Sequence, residues 1–559
     1  MDGLTPRQVT KSFEFTPKPA FEALDDTVRR FGKRPAIDFL GRHWNWSQIG
    51  RLTDRAAAGL QTLGVTKGVK VALCLPNTPY SVIMYYAILK AGGTVVNLNP
   101  LYTVRELEKQ IEDSGTSIVV SIDIEMIHGK IAQLAGKAGL KRVVVCAMTA
   151  ALPWTKSVLF RLFKGKERAK IPDQAPYIRF EQLIAGPAMP AAVSIDPDRD
   201  IAVMQFTGGT TGLPKAAQLS HANITVNVRQ IIESATPCIP GRERIIGILP
   251  LFHVFAMTGV MNYGVALGAE LVLLPRLDLK QLMATIFNRK PTVLIGVPTL
   301  YAAISNAAEA AHKNLQFIKF CVCGGAPIAA EAALHFERVS GCKIVEGYGL
   351  SETSPVVTLN PAGAVKLGSV GLAVAGTTVE IRDRNQPAVL LPQGERGEVC
   401  VRGPQVMQGY YNRPAETAQV FVDGAFRTGD VGYLDADGYL FIVDRIKDLI
   451  ISGGYNVYPR TIEEAAYQHP AVQEAIAIGV PDQYRGQAAK LFVTLRSNAA
   501  ATPAEIKAFL VEYLSKIEMP REIEIRDSLP KTLVGKLSKK ELVAEELATA
   551  AAHPIAGGQ

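Results

Sequence analysis

The sequence predicts an α/β protein: a large N-terminal domain of βαβ units with a β-rich end, followed by a small α+β domain. Three observations carry that expectation. The chain has 559 residues, more than a single hydrophobic core usually organises. From about residue 20 to 440, short apolar runs alternate with helical stretches, as they do where parallel strands are covered on both faces. Near Val443–Lys447 that alternation gives way to a compact mixture of about 110 residues.

In chain order, Lys70–Leu75 (KVALCL) reads as a buried strand, Tyr80–Lys90 as a helix and Gly93–Leu98 (GTVVNL) as the next strand. A charged helix over Leu101–Ser114 and a strand over Ser117–Ile122 continue the alternation. Gly424–Tyr439 is rich in the Gly and Asp of turns and marks the β-rich end. Downstream, helix Thr461–His469, strands Ala471–Val480 and Ala488–Arg496, helix Thr502–Leu514 and strand Glu522–Arg526 build the α+β domain. The domains are therefore expected at 1–443 and 448–559, with 444–447 between them. The Ala-rich tail after Leu547 is expected to fray, and no repeat of solenoid period is present.

Composition narrows the class. The chain is 48% hydrophobic and 20% charged, a globular balance. The start, MDGLTPRQVT, lacks the apolar core of a secretory signal. No apolar run reaches the ~18–20 residues that span a bilayer, so a cytoplasmic protein, soluble or peripheral, is expected. The seven cysteines are scattered without a CxxC pair and the eight histidines form no HxH or HExxH group, which argues against a disulfide framework or a zinc site. A formal charge of +8 suits anionic ligands but does not indicate nucleic acid. One segment departs from the background: Trp154–Lys170 (WTKSVLFRLFKGKERAK) holds six Lys/Arg against one Glu. At helical spacing Trp154, Val158, Leu162 and Phe163 share a face. Two readings stay open: a helix lying on an anionic membrane, the inner face of the cytoplasmic membrane, or an insertion whose apolar face docks on the domain.

Four motifs carry chemistry. Phe206-Thr-Gly-Gly-Thr-Thr-Gly-Leu-Pro-Lys215 follows the apolar strand Ile201–Gln205. Its free N–H and hydroxyl groups can wrap phosphate oxygens, with Lys215 adding charge; it is not a Walker A loop, because Gly-Lys-Ser/Thr is absent. Glu346-Gly-Tyr-Gly-Leu-Ser-Glu352 offers the exposed ring of Tyr348 to a purine, Ser351 to a phosphate and Glu352 to Mg²⁺. Arg427-Thr-Gly-Asp430 precedes Asp444-Arg-Ile-Lys-Asp448 and Gly453-Gly-Tyr-Asn-Val-Tyr-Pro459; a carboxylate such as Asp430 can accept both ribose hydroxyls. Pro530-Lys-Thr-Leu-Val-Gly-Lys536 places a lysine on a turn, available to developing negative charge.

Each motif alone has an ordinary structural reading, but their order and joint presence resemble the adenylate-forming superfamily of acyl-CoA synthetases, firefly luciferases and peptide-synthetase adenylation domains. The resemblance runs from about residue 20 to 545. It implies a mobile C-terminal domain, with Lys447 in the 444–447 hinge. It implies that ATP phosphates are held by Thr207, Gly208, Gly209, Thr210, Thr211, Gly212 and Lys215. Adenine would be contacted by Gly325, Ala326 and Tyr348, phosphate by Ser351, and ribose by Asp430 and Arg445. Glu352 would bind Mg²⁺, Gly454 would line the path of the coenzyme A pantetheine, and Lys536 would be the adenylation lysine. The chain departs from the pattern at Gly208 (usually Ser), Ala216 (Gly), Ser351 (Thr) and Phe426 (Trp), and in Gly371-Leu-Ala-Val-Ala-Gly376 two usual prolines are alanines. None of these removes a group the chemistry needs.

Only 23 residues follow Lys536, without a carrier-protein serine motif, so the acyl acceptor is expected to be diffusible coenzyme A. Within the superfamily, Asn97–Leu107, Leu249–Thr258 and Asp444–Pro459 most resemble bacterial long-chain fatty-acid–CoA ligases. By that likeness His253 borders the acyl pocket near the reacting carboxylate; the other reading is a satisfied core histidine. The small or pliable residues from Ala256 to Gly259 suit a chain-shaped tunnel of unset length. Medium-chain, dicarboxylic and aryl acids remain alternatives, as does a catalytically silent nucleotide- or lipid-binding protein. A homodimer is compatible with the sequence.

Overall fold

The first large sheet places the strand Lys70–Leu73 between Thr94–Asn97 and Ile118–Ile122, and six of its eight strands run parallel. The protein is described here by a computed structural model covering residues 14–207, 214–234, 237–452, 455–482, 485–496, 499–532 and 536–552. The sheet grows outward through Ile201–Thr207 to the antiparallel strands Lys215–Ser220 and Gly409–Tyr410. A second, nine-stranded sheet is parallel through its middle, from Ile344–Gly349 to Pro35–Phe39. The helix Pro79–Lys90 is buried along its whole length up to Leu89. It links the two sheets: Tyr86 donates to Asn262 at 2.7 Å, and Asn77 just before it donates to the carbonyl of Gly247 at 3.1 Å. One hydrophobic cluster runs through both sheets, the consequence of covering each on two faces.

The β-rich end is a third, antiparallel sheet built from Thr378–Arg382, Gly397–Arg402, Ala425–Leu434 and Leu440–Arg445. The C-terminal segment has its own sheet, in which Gly486–Leu495 pairs with Val472–Asp482 and Glu522–Ile525, and its own cores. It is docked on the large domain through a bidentate pair between Arg496 and Glu331 at 2.6 and 3.3 Å.

Several boundaries differ from the sequence reading for local reasons. The charged helix begins at Val104 rather than Leu101, because Thr103 and Glu106 form a reciprocal capping box, and it stops at Gly115, whose φ of 66° suits glycine. The chain stays helical beyond Leu547: a helix runs from Lys540 to Ala552, held by the buried Leu542 and by a Lys490–Glu546 pair at 2.8 Å, and the remainder of the tail lies outside the described residues. Trp154–Lys170 is not one helix. It is helical from Trp154 to Phe163, passes through a short turn at Gly165–Glu167, and returns to the domain where Arg168 meets Asp123 at 2.7 Å. The docking reading of its apolar face is overturned, since Trp154, Leu162 and Phe163 are 79%, 72% and 81% exposed. Among the described residues no helix is long and apolar enough to cross a membrane.

Candidate active site

The strand Ile201–Thr207 turns back as Lys215–Ser220, with Thr207 paired to Lys215. Thr207 and Lys215 are thus held by the ladder of this hairpin at the two ends of the glycine-threonine segment. Gly208, Gly209, Thr210, Thr211 and Gly212 lie outside the described residues, as does Gly454.

Tyr410 joins this hairpin, registering opposite Ala217. Its ring lies 5.3 Å beneath the Lys215 ammonium, and its hydroxyl donates to Glu352 Oε1 at 2.8 Å. Glu352 sits on a short turn at Ser351–Thr353, whose backbone is tied to Met407. Burial pushes its carboxyl above the usual range, opposed by the Tyr410 hydroxyl. A buried carboxylate with one oxygen held by a phenol fits a hard divalent cation such as Mg²⁺ at its remaining lone pairs. Sequence reasoning missed Tyr410; the run Gly409-Tyr-Tyr-Asn-Arg-Pro414 was its signal, but nothing local ties it to a glutamate 58 residues earlier.

A second cluster lies where the antiparallel sheet meets the second parallel one. Asp430 and Arg445 are cross-strand partners 3.1 Å apart, and Tyr348 donates to the other Asp430 oxygen at 2.5 Å. The expected free ring of Tyr348 is thus half-buried and anchored by its hydroxyl. Burial raises the Asp430 carboxyl, with Arg445 and Tyr348 opposing, and Asp430 in turn holds the Arg445 guanidinium above its usual value. Each Asp430 oxygen keeps acceptor capacity for a further hydroxyl.

Lys536 comes from the C-terminal domain. Its backbone is tied to Thr532, which donates N–H to the Lys536 carbonyl at 2.6 Å and accepts the Lys536 N–H on its hydroxyl at 3.1 Å. The side chain lies over Gly325: a Cβ built there would meet Cε at 2.4 Å and Nζ at 2.6 Å, and Gly325 has φ +83°. Only glycine admits both the backbone and the lysine. Burial, then the charge of Arg445, lowers the Lys536 amine to about 8. Among the described residues neither Lys536 nor Lys215 has a carboxylate ion-pair partner.

His253 caps the short helix Val254–Ala256, accepting Phe255 N–H on Nδ1 at 3.3 Å. That places its proton on Nε2 in the neutral ring. Burial, then Lys536, brings its pKa down to about 4, so the ring is neutral at physiological pH. A cavity of about 10 Å³ separates His253 and Ala256 from Lys536 and Val297, room for one water at most. That volume does not hold an acyl chain. Lys447 lies on a turn at Ile446–Asp448, its amine lowered by burial. Ser351 and Ala326 are half-buried beside these clusters in sequence. A separate carboxylate group, Asp38 and Glu270 near His43, could suggest a metal, but Arg289 and Arg244 already pair with those carboxylates at 2.6 Å.

The sequence profile of a family described as AMP-binding enzyme matches residues 24–411, and that of AMP-binding enzyme C-terminal domain matches residues 461–536. The chain is 40% identical over 553 residues to a long-chain-fatty-acid–CoA ligase of Bacillus subtilis, covering 97% of both. It is 36% identical over 534 residues to a long-chain-fatty-acid–CoA ligase of Yersinia pestis, covering 94% of both. Among solved structures, ATP-bound MatB from Rhodopseudomonas palustris matches with a TM-score of 0.83 at 28% identity, covering 95% of this chain and 99% of that one.

Proposed function

The chain belongs to the AMP-binding enzyme family, and from that membership we propose that it is a fatty-acid–CoA ligase converting ATP, a long-chain carboxylate and coenzyme A to acyl-CoA, AMP and diphosphate. The observation that carries the mechanism is Lys536, delivered by the small domain against Gly325 and His253 without a counter-ion among the described residues. A half-buried ammonium in that state calls for an anion, and the triphosphate of ATP and the substrate carboxylate supply it.

In the first step the acid's carboxylate oxygen attacks the α-phosphorus and diphosphate leaves, giving acyl-AMP. Lys215 and Lys536 stabilise the charge that develops on the phosphoryl oxygens. Asp430 receives the ribose hydroxyls, with Tyr348 and Arg445 fixing its orientation. Gly325 and Ala326 form the floor of the adenine site, and Ser351 contacts phosphate. The neutral His253 borders the acyl carboxylate and can offer it a hydrogen bond from Nε2. Glu352 would hold Mg²⁺, which neutralises phosphate charge when bound. In the second step the coenzyme A thiolate attacks the acyl carbonyl of the mixed anhydride and AMP leaves, so no protein nucleophile is required. We assign 1–443 to the nucleotide- and acyl-binding domain, 444–447 to a hinge and 448–559 to a domain that turns about Lys447 between the steps, bringing Gly454 to the pantetheine.

The acyl chain length is tested by kinetics. Each buried methylene contributes about 0.8 kcal/mol, so eight more carbons add up to about 6 kcal/mol if the cavity beside His253 opens to hold them. Catalytic efficiency is expected to rise from octanoate to palmitate. A peak at eight carbons or fewer, or a preference for dicarboxylic or aryl acids, would refute the long-chain assignment. A second reading concerns location. The outward-facing Trp154, Val158, Leu159, Leu162 and Phe163, flanked by Arg161, Lys166 and Lys170, support peripheral contact with an anionic bilayer, the source of the substrate.

A further inference from the structure

At the entry ends of the parallel strands Lys70–Leu73, Thr94–Asn97 and Ile201–Thr207, opposite the end that carries the phosphate loop, lies a pocket of about 260 Å³. At ~30 Å³ per water it has room for about nine water-sized groups. We propose that this pocket binds a small phosphate-bearing dianion at a site separate from the nucleotide site.

Charge comes first. Lys67, Lys70 and Arg199 line the pocket against a single lining carboxylate, Asp200. Asp200 is taken by Lys67 at 2.6 Å and also accepts the Asp196 N–H at 2.8 Å. Arg199 makes only a loose 3.8 Å contact with Asp196, and its side chain is 87% exposed. Lys70 has no carboxylate partner among the described residues. Its ammonium crosses the sheet face to lie 5.0 Å over the ring of Tyr411 and 3.4 Å from its hydroxyl. An ammonium seated on an aromatic face keeps N–H donors free for a ligand.

Neutral donors complete the set. His221 is buried and accepts the Ala20 N–H on Nδ1 at 3.0 Å, which leaves its proton on Nε2. Burial brings its pKa to about 4, against the opposing pull of Asp200, so it stays a neutral donor. Gln218 lines the floor. The formal excess of two positive charges matches a phosphate, which carries about −1.5 to −2 at neutral pH; a monocarboxylate would leave one cation uncompensated.

The test is calorimetric titration of the full chain, its nucleotide site saturated with ATP in the absence of acid, using inorganic phosphate, glycerol phosphate and acetate as separate probes. One phosphate per chain is expected to bind. Lys70→Met and, independently, the exposed Arg199→Gln should each weaken it about tenfold, with thermal unfolding and acyl-AMP formation in phosphate-free buffer unchanged. Tighter binding of glycerol phosphate than of inorganic phosphate identifies a monoester as the ligand class, whereas equal or weaker binding identifies free phosphate. Absence of binding at millimolar phosphate, binding that both variants leave intact, or acetate binding as tightly as phosphate would overturn the proposal.

Discussion

Changing Lys536 to arginine and to alanine separates its charge from its shape. Burial and Arg445 set the amine at about 8, against an ordinary 10.5. About nine in ten molecules therefore carry the charge at pH 7 and about one in ten at pH 9. The kcat/KM for ATP in acyl-AMP formation should accordingly fall roughly tenfold between pH 7 and pH 9. The sign of the coupling follows from the depressed value: without nucleotide, the docked arrangement is penalised below pH 8 and relieved as pH rises from about 8 toward 10.5. ATP removes that penalty by supplying the counter-charge. Lys536→Arg keeps a charge at every accessible pH, so its profile should be flat from pH 7 to 9, at a lower rate because a planar guanidinium does not reproduce the compact charge of the ammonium. Lys536→Ala should lose about 10²–10³ in acyl-AMP formation, measured by acid-dependent pyrophosphate exchange. Given synthetic acyl-AMP and coenzyme A, it should still form thioester near the wild-type rate. A Lys536→Arg profile that bends at the same pH as wild type, or a Lys536→Ala variant that slows both steps equally, would refute this role for the lysine.

Gly325→Ala should reproduce the adenylation defect without altering the lysine, because its Cβ would fall 2.4 Å from Lys536 Cε at a φ of +83°; a loss of roughly five- to thirtyfold in pyrophosphate exchange is expected from strain of about 1–2 kcal/mol alone. Tyr410→Phe removes the hydroxyl on Glu352 and keeps the ring under Lys215. It should weaken Mn²⁺ binding to the ATP complex by about tenfold, read by electron paramagnetic resonance, and unchanged metal affinity would remove Tyr410 from the site. Phe163→Ser combined with Arg161→Glu and Lys166→Glu should reduce sedimentation with anionic vesicles by at least thirtyfold in affinity, at about 1 kcal/mol per basic residue. Activity on short soluble acids should be spared, and wild type that ignores vesicles at low salt would refute the membrane contact.

The α/β class and the order of the motifs were legible in the chain because both rest on local rules: apolar periodicity for Lys70–Leu73 and Pro79–Lys90, and a run of Gly and Thr between Phe206 and Lys215. The resemblance, rather than any local rule, singled out Lys536 as the candidate adenylation lysine, because a lysine near the chain's end carries no signal of its own. The sequence did not reveal that Glu352 is held by Tyr410, or that Tyr348 spends its hydroxyl on Asp430. Those pairs span 58 and 82 residues, and their meeting depends on which strand edges adjoin. Nor could periodicity decide whether the face of Trp154–Phe163 is covered; an amphipathic pattern reads alike when docked and when bare, and only the position of the neighbouring elements leaves it outward. The value near 8 for Lys536 belongs to the same class. It arises where the C-terminal domain lays a partly desolvated cation near Arg445, and desolvation and like charge are properties of the folded arrangement rather than of the residue.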